Sequence, residues 1–332
     1  MKLKYSHGVM LCIVATVAWG GMFPVMNHAL PHIDPFTFTV IRYAVAGLAF
    51  LALLLALEGT ASLRLSGERV RLAWFFGTAG FAGFQFLVFL GQKLVGPEGA
   101  LIASIMMVTQ PMLGFFVNWV VRKSAPPAGA LVFIVLSFGG VSLVVTNGHL
   151  SRLFDHPQNF GPAGMVVLGC LCWVIYTVGG AFFPKWSPLR YTTLTTALGL
   201  TSASAITAVL LITNMIPMPS LDTVGTVAPE IAYMGLVAGF VGVLCWNIGN
   251  KILTPLNGVL FMDVVPITAF AVSTAEGIVP GNLQFVGALL SAAALILNNL
   301  YLRHRFATPA TAKPSPVSSK NAEASQEESA TV

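Results

Sequence analysis

Blocks of apolar residues long enough to cross a bilayer, separated by short polar breaks, decide what this chain can fold into. The predicted helices cover 7–29, 36–57, 71–92, 98–121, 128–146, 161–183, 190–214, 230–250, 256–276 and 282–302. A helix needs about 20 apolar residues to span a hydrocarbon core about 30 Å thick. Inside that core every backbone polar group must be paired within the protein, so only helices and closed barrels cross. Barrel strands would be about 10 residues long and would alternate, whereas these blocks are twice that length and continuous. Only 9% of the residues are charged, against about 25% in soluble domains. The expectation is an all-α integral membrane protein with ten transmembrane helices.

The net charge of +5 records orientation in the bilayer rather than a nucleic-acid partner. If the N-terminal side is inner, fourteen of the 17 Lys and Arg fall in inner segments, from Lys2 and Lys4 through Arg64, Arg190 and Lys251 to Lys320. Only Lys93 and Arg152 fall in outer segments, and Arg42 lies inside a helix. Short loops rich in Lys and Arg stay in the cytoplasm, so both termini are expected there. The basic start runs into apolar sequence through Val25 with no small-x-small cleavage site, and reads as an uncleaved first helix. Cys12, Cys170, Cys172 and Cys245 fall inside predicted helices without CxxC spacing and read as packing residues. No metal, cofactor or catalytic group is expected. Residues 306–332 are rich in Ala, Ser, Pro, Lys and Glu and read as a disordered cytoplasmic tail.

Gly91-Gln92-Lys93-Leu94-Val95-Gly96-Pro97 and Gly249-Asn250-Lys251-Ile252-Leu253-Thr254-Pro255 share Gly-x-Lys-x-x-x-Pro. Each follows an apolar helix and precedes one with a mid-span proline, Pro111 or Pro266. Trp19 and Trp173 sit near the centres of the first and sixth helices. This common order suggests one five-helix repeat over 1–146, an outer linker over 147–160, and a second repeat over 161–305. Five crossings per unit invert the second repeat, and Lys93 outside against Lys251 inside agrees. Inverted repeats are a recurrent plan of secondary transporters, with the substrate site near the midplane between the halves.

Further residues carry a family resemblance. The first helix has Trp19-Gly20-Gly21-Met22-Phe23, and the second has Phe38-Thr39-Val40-Ile41-Arg42-Tyr43-Ala44-Val45-Ala46. The fourth has Ala103 and Pro111; Pro266, Glu276, Gln284 and Gly287-Ala288-Leu289-Leu290 follow in the ninth and tenth. Over roughly residues 7–302 the chain resembles the drug/metabolite transporter superfamily, in its ten-helix EamA-type branch. It departs from that pattern at Arg122-Lys123, where the family often has a carboxylate, and at Asp263, three residues before Pro266. The resemblance implies a multi-pass protein of the cell inner membrane that exports or exchanges amino acids, aromatic ones among them, or related small metabolites by alternating access. Drug and nucleotide-sugar carriers belong to the same superfamily and stand as the alternative within transport.

Counting 1.5 Å per residue places Trp19, Gln85, Thr109, Gln110, Trp173, Tyr176 and Asp263 near mid-bilayer, with Trp246 and Asn247 on the inner half of the eighth helix. The resemblance implies that the helices bearing them line a central cavity. Aromatic walls with a few placed polar groups suit a small-ligand pocket; each residue taken alone also suits helix packing. Asp263 and Arg42 are the costly residues, because a mid-span charge normally faces a cavity or a partner. Asp263 reads as a substrate-amine partner, a proton site, a brace for the Pro266 break or a partner for Arg42. Arg42 reads as a cavity cation or as a snorkelling one. Glu276, His28, His32 and Asp34 lie at helix ends and read as solvated.

Gly287 and Ser291 make a small-xxx-small step on the tenth helix, suited to close contact and to a homodimer. An intramembrane enzyme would need a deep nucleophile–base pair or metal ligands, and the sequence places no His near mid-span. A receptor would leave the inverted repeat unexplained. ATP drive is disfavoured because the chain has no Gly-x-x-x-x-Gly-Lys-Ser/Thr loop. The expected partners are a small-molecule substrate and the lipid bilayer.

Overall fold

The structure, a computed structural model, describes residues 4–96, 99–107, 109–123, 128–146, 160–275 and 282–307. The described residues form helices and no strands. In chain order the main elements are α1 (Tyr5–Ala29), α2 (Pro35–Glu58), α3 (Val70–Val95), α4 (Gly99–Met106), α5 (Thr109–Arg122), α6 (Ala128–Thr146), α7 (Phe160–Phe182), α8 (Pro188–Ile212), α9 (Ala228–Leu253), α10 (Pro255–Val259), α11 (Val264–Ala275) and α12 (Asn282–Ala307). Six of these, α1, α2, α3, α7, α8 and α9, are long and apolar enough to cross a membrane. Shorter apolar stretches run over Leu131–Gly140, Asn257–Ala269 and Phe285–Asn298. The predicted outer linker, apart from Phe160, and the tail from residue 308 onward lie outside the described residues, as does Glu276.

Helix starts and stops follow from local chemistry. Asp34 caps α2 by accepting from the Phe36 N–H at 2.9 Å, with Pro35 next in line. Ser187 caps α8 by accepting from the Arg190 N–H at 2.9 Å, with Pro188 next. An acceptor side chain followed by proline satisfies one orphan donor and removes another. The two Gly-x-Lys-x-x-x-Pro segments end α3 and α9 alike, with Gly96 at φ +85° and Thr254 at φ +79°. Their lysines differ in partner: Lys93 pairs with Asp34 at 3.6 Å, and Lys251 donates to the Trp186 carbonyl at 2.6 Å.

Three of the predicted spans are interrupted, each just before the proline that the sequence places within it. α1 turns at Gly21, α4 stops at Met106 before α5 begins at Thr109, and a 3-10 turn over Leu260–Asp263 separates α10 from α11. Proline explains each break, since it has no N–H and its ring crowds the carbonyl four residues earlier. Pro24, Pro111 and Pro266 thereby free the carbonyls of Gly20, Met107 and Met262. At the second break the Gln110 N–H takes up the Met107 carbonyl at 3.0 Å. In α3 and α9 the backbone widens to π-helical turns over Ala79–Gly83 and Tyr233–Gly242.

Packing repeats in pairs. α3 lies on α7 as α1 lies on α9; α8 lies on α3 as α2 lies on α9; α5 lies on α7 as α11 lies on α1. α6 pairs with α12. Glycine permits the closest approaches: a Cβ at Gly77 would strike the Thr195 carbonyl, and one at Gly199 would strike that of Gly77. The Gly287–Ser291 step is occupied within the chain, since the Ser291 hydroxyl donates to Ser137 at 3.2 Å and a Cβ at Gly140 would meet both Ser291 and the Gly287 carbonyl.

One end of the bundle collects basic groups. There Arg190 donates to the carbonyls of Ser62 and Arg64, each at 2.7 Å, and pairs with Glu68 at 3.2 Å. The start of α1 shares this end, because Gly8 packs against Ile252 and Leu253 near Lys251.

Candidate functional site

Trp19 of α1 and Trp173 of α7 meet edge to face, with ring centroids 5.1 Å apart. Trp246 leans on Trp19 at 5.2 Å, and Tyr176 continues the aromatic chain from Trp173 at 5.0 Å. The break before Met22, the aromatic wall and the α2–α3 contact enclose a small central cavity. Its lining includes Trp19, Trp173, Phe84, Arg42, Tyr43 and Gln85, with Met107 and Met262 from the two later proline breaks. Its volume is about 20 Å³, room for roughly one water; this conformation is closed around the site.

Arg42 is fully enclosed, at 1% exposure, so it does not snorkel. Its Nη2 donates to Gln85 Oε1 and to the Tyr43 hydroxyl, both at 2.8 Å, and Nη1 reaches the Met234 sulfur at 3.5 Å. The Tyr43 and Phe89 rings flank the guanidinium at 4.5 and 5.4 Å. Among the described residues the contacts of Arg42 are all with neutral groups, and it takes part in neither described ion pair. Removing an ion from water costs several kcal/mol, and hydrogen bonds and ring faces offset only part of that.

A second cavity of about 310 Å³ opens at the basic end, lined among others by Trp186, Tyr191, Asn247, Asn250 and Lys251. That is the size of a small-ligand pocket. A polar cluster, here called the lock, links the two linings, since Asn247 lines the larger cavity and its partner Tyr176 packs on Trp173 of the central one. Asn247 Nδ2 donates to the Tyr176 hydroxyl at 2.6 Å and to Thr192 Oγ1 at 2.7 Å. Tyr191 stacks on Tyr176 at 5.4 Å and donates to the Tyr176 carbonyl at 2.8 Å.

The structure therefore brings Trp19, Gln85, Trp173 and Arg42 to one cavity and sets Tyr176 and Asn247 in the lock beside it. Trp246 packs behind Trp19 and donates to Thr177 Oγ1 at 2.9 Å. Thr109 and Gln110 sit at the α4–α5 break, where Thr109 Oγ1 donates to the Met106 carbonyl at 2.6 Å and Gln110 Nε2 meets the Met107 sulfur at 2.7 Å. The backbone of Asp263 closes the 3-10 turn next to Met262, and its side chain lies outside the described residues. Sequence reasoning missed Tyr43 and Phe84, each adjacent to a residue it singled out, and Thr192 and Tyr191, whose run of threonines reads as an ordinary apolar-helix face.

The EamA-like transporter family profile matches two stretches of the chain, residues 6–146 and 162–300. A Bacillus subtilis protein described as an uncharacterized transporter, YrdR, is 36% identical over 89% of this chain and 92% of its own length. A second from the same organism, the uncharacterized transporter YyaM, is 27% identical over 87% of this chain and 92% of its own. One solved crystal structure aligns with a TM-score of 0.71 over 90% of this chain and 98% of that one, at 18% identity; that likeness concerns the fold alone.

Proposed function

Because the chain belongs to the EamA-like transporter family, we propose that it is a secondary transporter that exports or exchanges amino acids, aromatic ones included, or related small metabolites. The observation that carries this reading is the closed aromatic cavity around Trp19, Trp173, Arg42 and Gln85, with the larger cavity linked to it through the Tyr176–Asn247 lock. A transporter needs a site that is closed to one side before it opens to the other. The proline breaks at the cavity wall supply places where helices bend without losing their packing.

The wider proposal is a ten-helix protein of two inverted five-helix repeats, 1–146 and 161–305, with both termini in the cytoplasm. The paired helix contacts, the matched ends of α3 and α9 and the two matched stretches support it. The basic end that holds the larger cavity is then cytoplasmic. Asp263 remains the proposed coupling residue, as a proton site or as the partner of a substrate amine.

The test is a panel of radiolabelled amino acids in proteoliposomes, run with and without a pH gradient. Saturable uptake of at least one, reduced by an unlabelled competitor, is the expected result. A purified, folded protein that moves none of the twenty would remove amino acids as its cargo.

A further inference from the structure

We infer that Arg42, Tyr43 and Trp173 form an anion subsite in the central cavity, and that the cargo carries a carboxylate, or an equivalent planar anion, beside a flat apolar body. This rests on the transport reading for its purpose but not for its chemistry. A guanidinium has five N–H donors and no acceptor. Arg42 spends its Nη2 donors on Gln85 and Tyr43, while its Nε–H has no partner. The Tyr43 oxygen accepts from Arg42 and also from Gln85 Nε2 at 2.8 Å, which leaves its own hydrogen to give. The indole N–H of Trp173 is buried and, like the Arg42 Nε–H, has no partner among the described residues. All three residues line the same cavity.

The Gln85 amide cannot reverse this balance. Turning it over would aim its NH2 group at the guanidinium, donor against donor. Its only good orientation presents the oxygen to Arg42, and that acceptor is then used. The cavity thus holds unspent hydrogens from three side chains and a positive charge with neutral partners, a surplus that a carboxylate's acceptor sites would absorb. Around it stand Trp19, Phe84 and the Trp173 ring, whose faces suit a flat apolar group. The cavity is too small for such a molecule in this closed form, so loading goes with a widening at the breaks beside Met107 and Met262.

The experiment titrates the purified full-length protein with 3-phenylpropionate, L-phenylalanine, L-phenylalaninamide and phenethylamine, reading intrinsic tryptophan fluorescence, and in parallel measures flux of labelled L-phenylalanine in proteoliposomes. The two carboxylates are expected to bind at least about tenfold tighter than the amide and the amine. Arg42→Gln abolishes that preference and Arg42→Lys restores part of it. Should Arg42→Gln fail to fold, Tyr43→Phe, which keeps the ring and removes the hydroxyl with its unspent hydrogen, is expected to narrow the preference. Carboxylate binding without flux would sustain the anion site and remove L-phenylalanine as a transported cargo. Flux of L-phenylalanine with equal affinity for its amide would do the reverse. Binding of none of the probes would overturn the inference. So would an Arg42→Gln, Asp263→Asn double variant that recovers stability lost by each single one, because Asp263 would then be the counter-ion.

Discussion

The Arg42 guanidinium on α2 and the Gln85 side-chain oxygen on α3 are joined by a 2.8 Å hydrogen bond at the centre of the bundle, and both residues are 1% exposed. Among the described residues, a neutral amide and a phenol hydroxyl, rather than a carboxylate, hold this buried cation in the closed conformation. That choice keeps the charge available. A permanent ion pair would satisfy the guanidinium more fully and leave nothing for an incoming anion to gain.

Gln85 is therefore the residue that tests the relationship directly. Gln85→Glu is expected to raise the melting temperature in detergent and to abolish transport, since the new carboxylate occupies Arg42 permanently. Gln85→Leu is expected to lower stability by about 1.5–3 kcal/mol, the range for a hydrogen bond to a charged group. If both variants transport at the wild-type rate, the Arg42–Gln85 bond has no part in the cycle.

Opening toward the basic end requires the Tyr176–Asn247–Thr192 lock to part. Asn247→Ala deletes two hydrogen bonds, each worth about 0.5–1.5 kcal/mol net, while leaving the aromatic stack of Tyr176 on Tyr191. A cysteine placed at Met22, in the wall of the central cavity, should then react several-fold faster with a small thiol reagent than it does beside Asn247. Equal rates would mean that the barrier lies elsewhere.

Much of this arrangement is legible in the sequence, because a bilayer punishes any departure from apolar helices. Trp19, Trp173 and Gln85 could be chosen by depth and residue type, and Arg42 by the cost of a charge within a span; the four share one cavity. Thr109 and Gln110 could not be placed in the same way. The helix they were assigned to breaks before Pro111, so counting residues down a straight axis loses the direction in which they face. Tyr43 escaped for a different reason. Next to an arginine, an aromatic residue reads as packing, and only the geometry shows its oxygen accepting from two donors. The lock was hidden because Asn247, Tyr176 and Thr192 come from three separate helices.

Orientation is checked from outside the cell. With the four native cysteines replaced, single cysteines at Asn159 and Thr223 should react with an impermeant reagent on intact cells, and those at Ser66 and Ser318 should not. The opposite pattern would invert the topology and turn the basic end outward. Labelling of only one of the two outer sites would break the ten-span count.

The two tryptophans at the cavity separate structural from functional loss. Trp19 donates its indole N–H to the Ala238 carbonyl at 2.9 Å, tying α1 to α9, whereas the Trp173 indole N–H has no partner among the described residues. Each loses similar ring area on conversion to phenylalanine. Trp19→Phe additionally deletes a buried interhelical hydrogen bond, so it is expected to cost about 0.5–1.5 kcal/mol more than Trp173→Phe. Trp173→Phe sacrifices no hydrogen bond of the closed state, and its melting temperature should stay closer to wild type. If the free N–H serves the cargo, Trp173→Phe raises the apparent KM for transported carboxylates about tenfold with little change in folding. A Trp173→Phe variant that unfolds as early as Trp19→Phe, or transports with unaltered KM, would return Trp173 to the role of a packing residue.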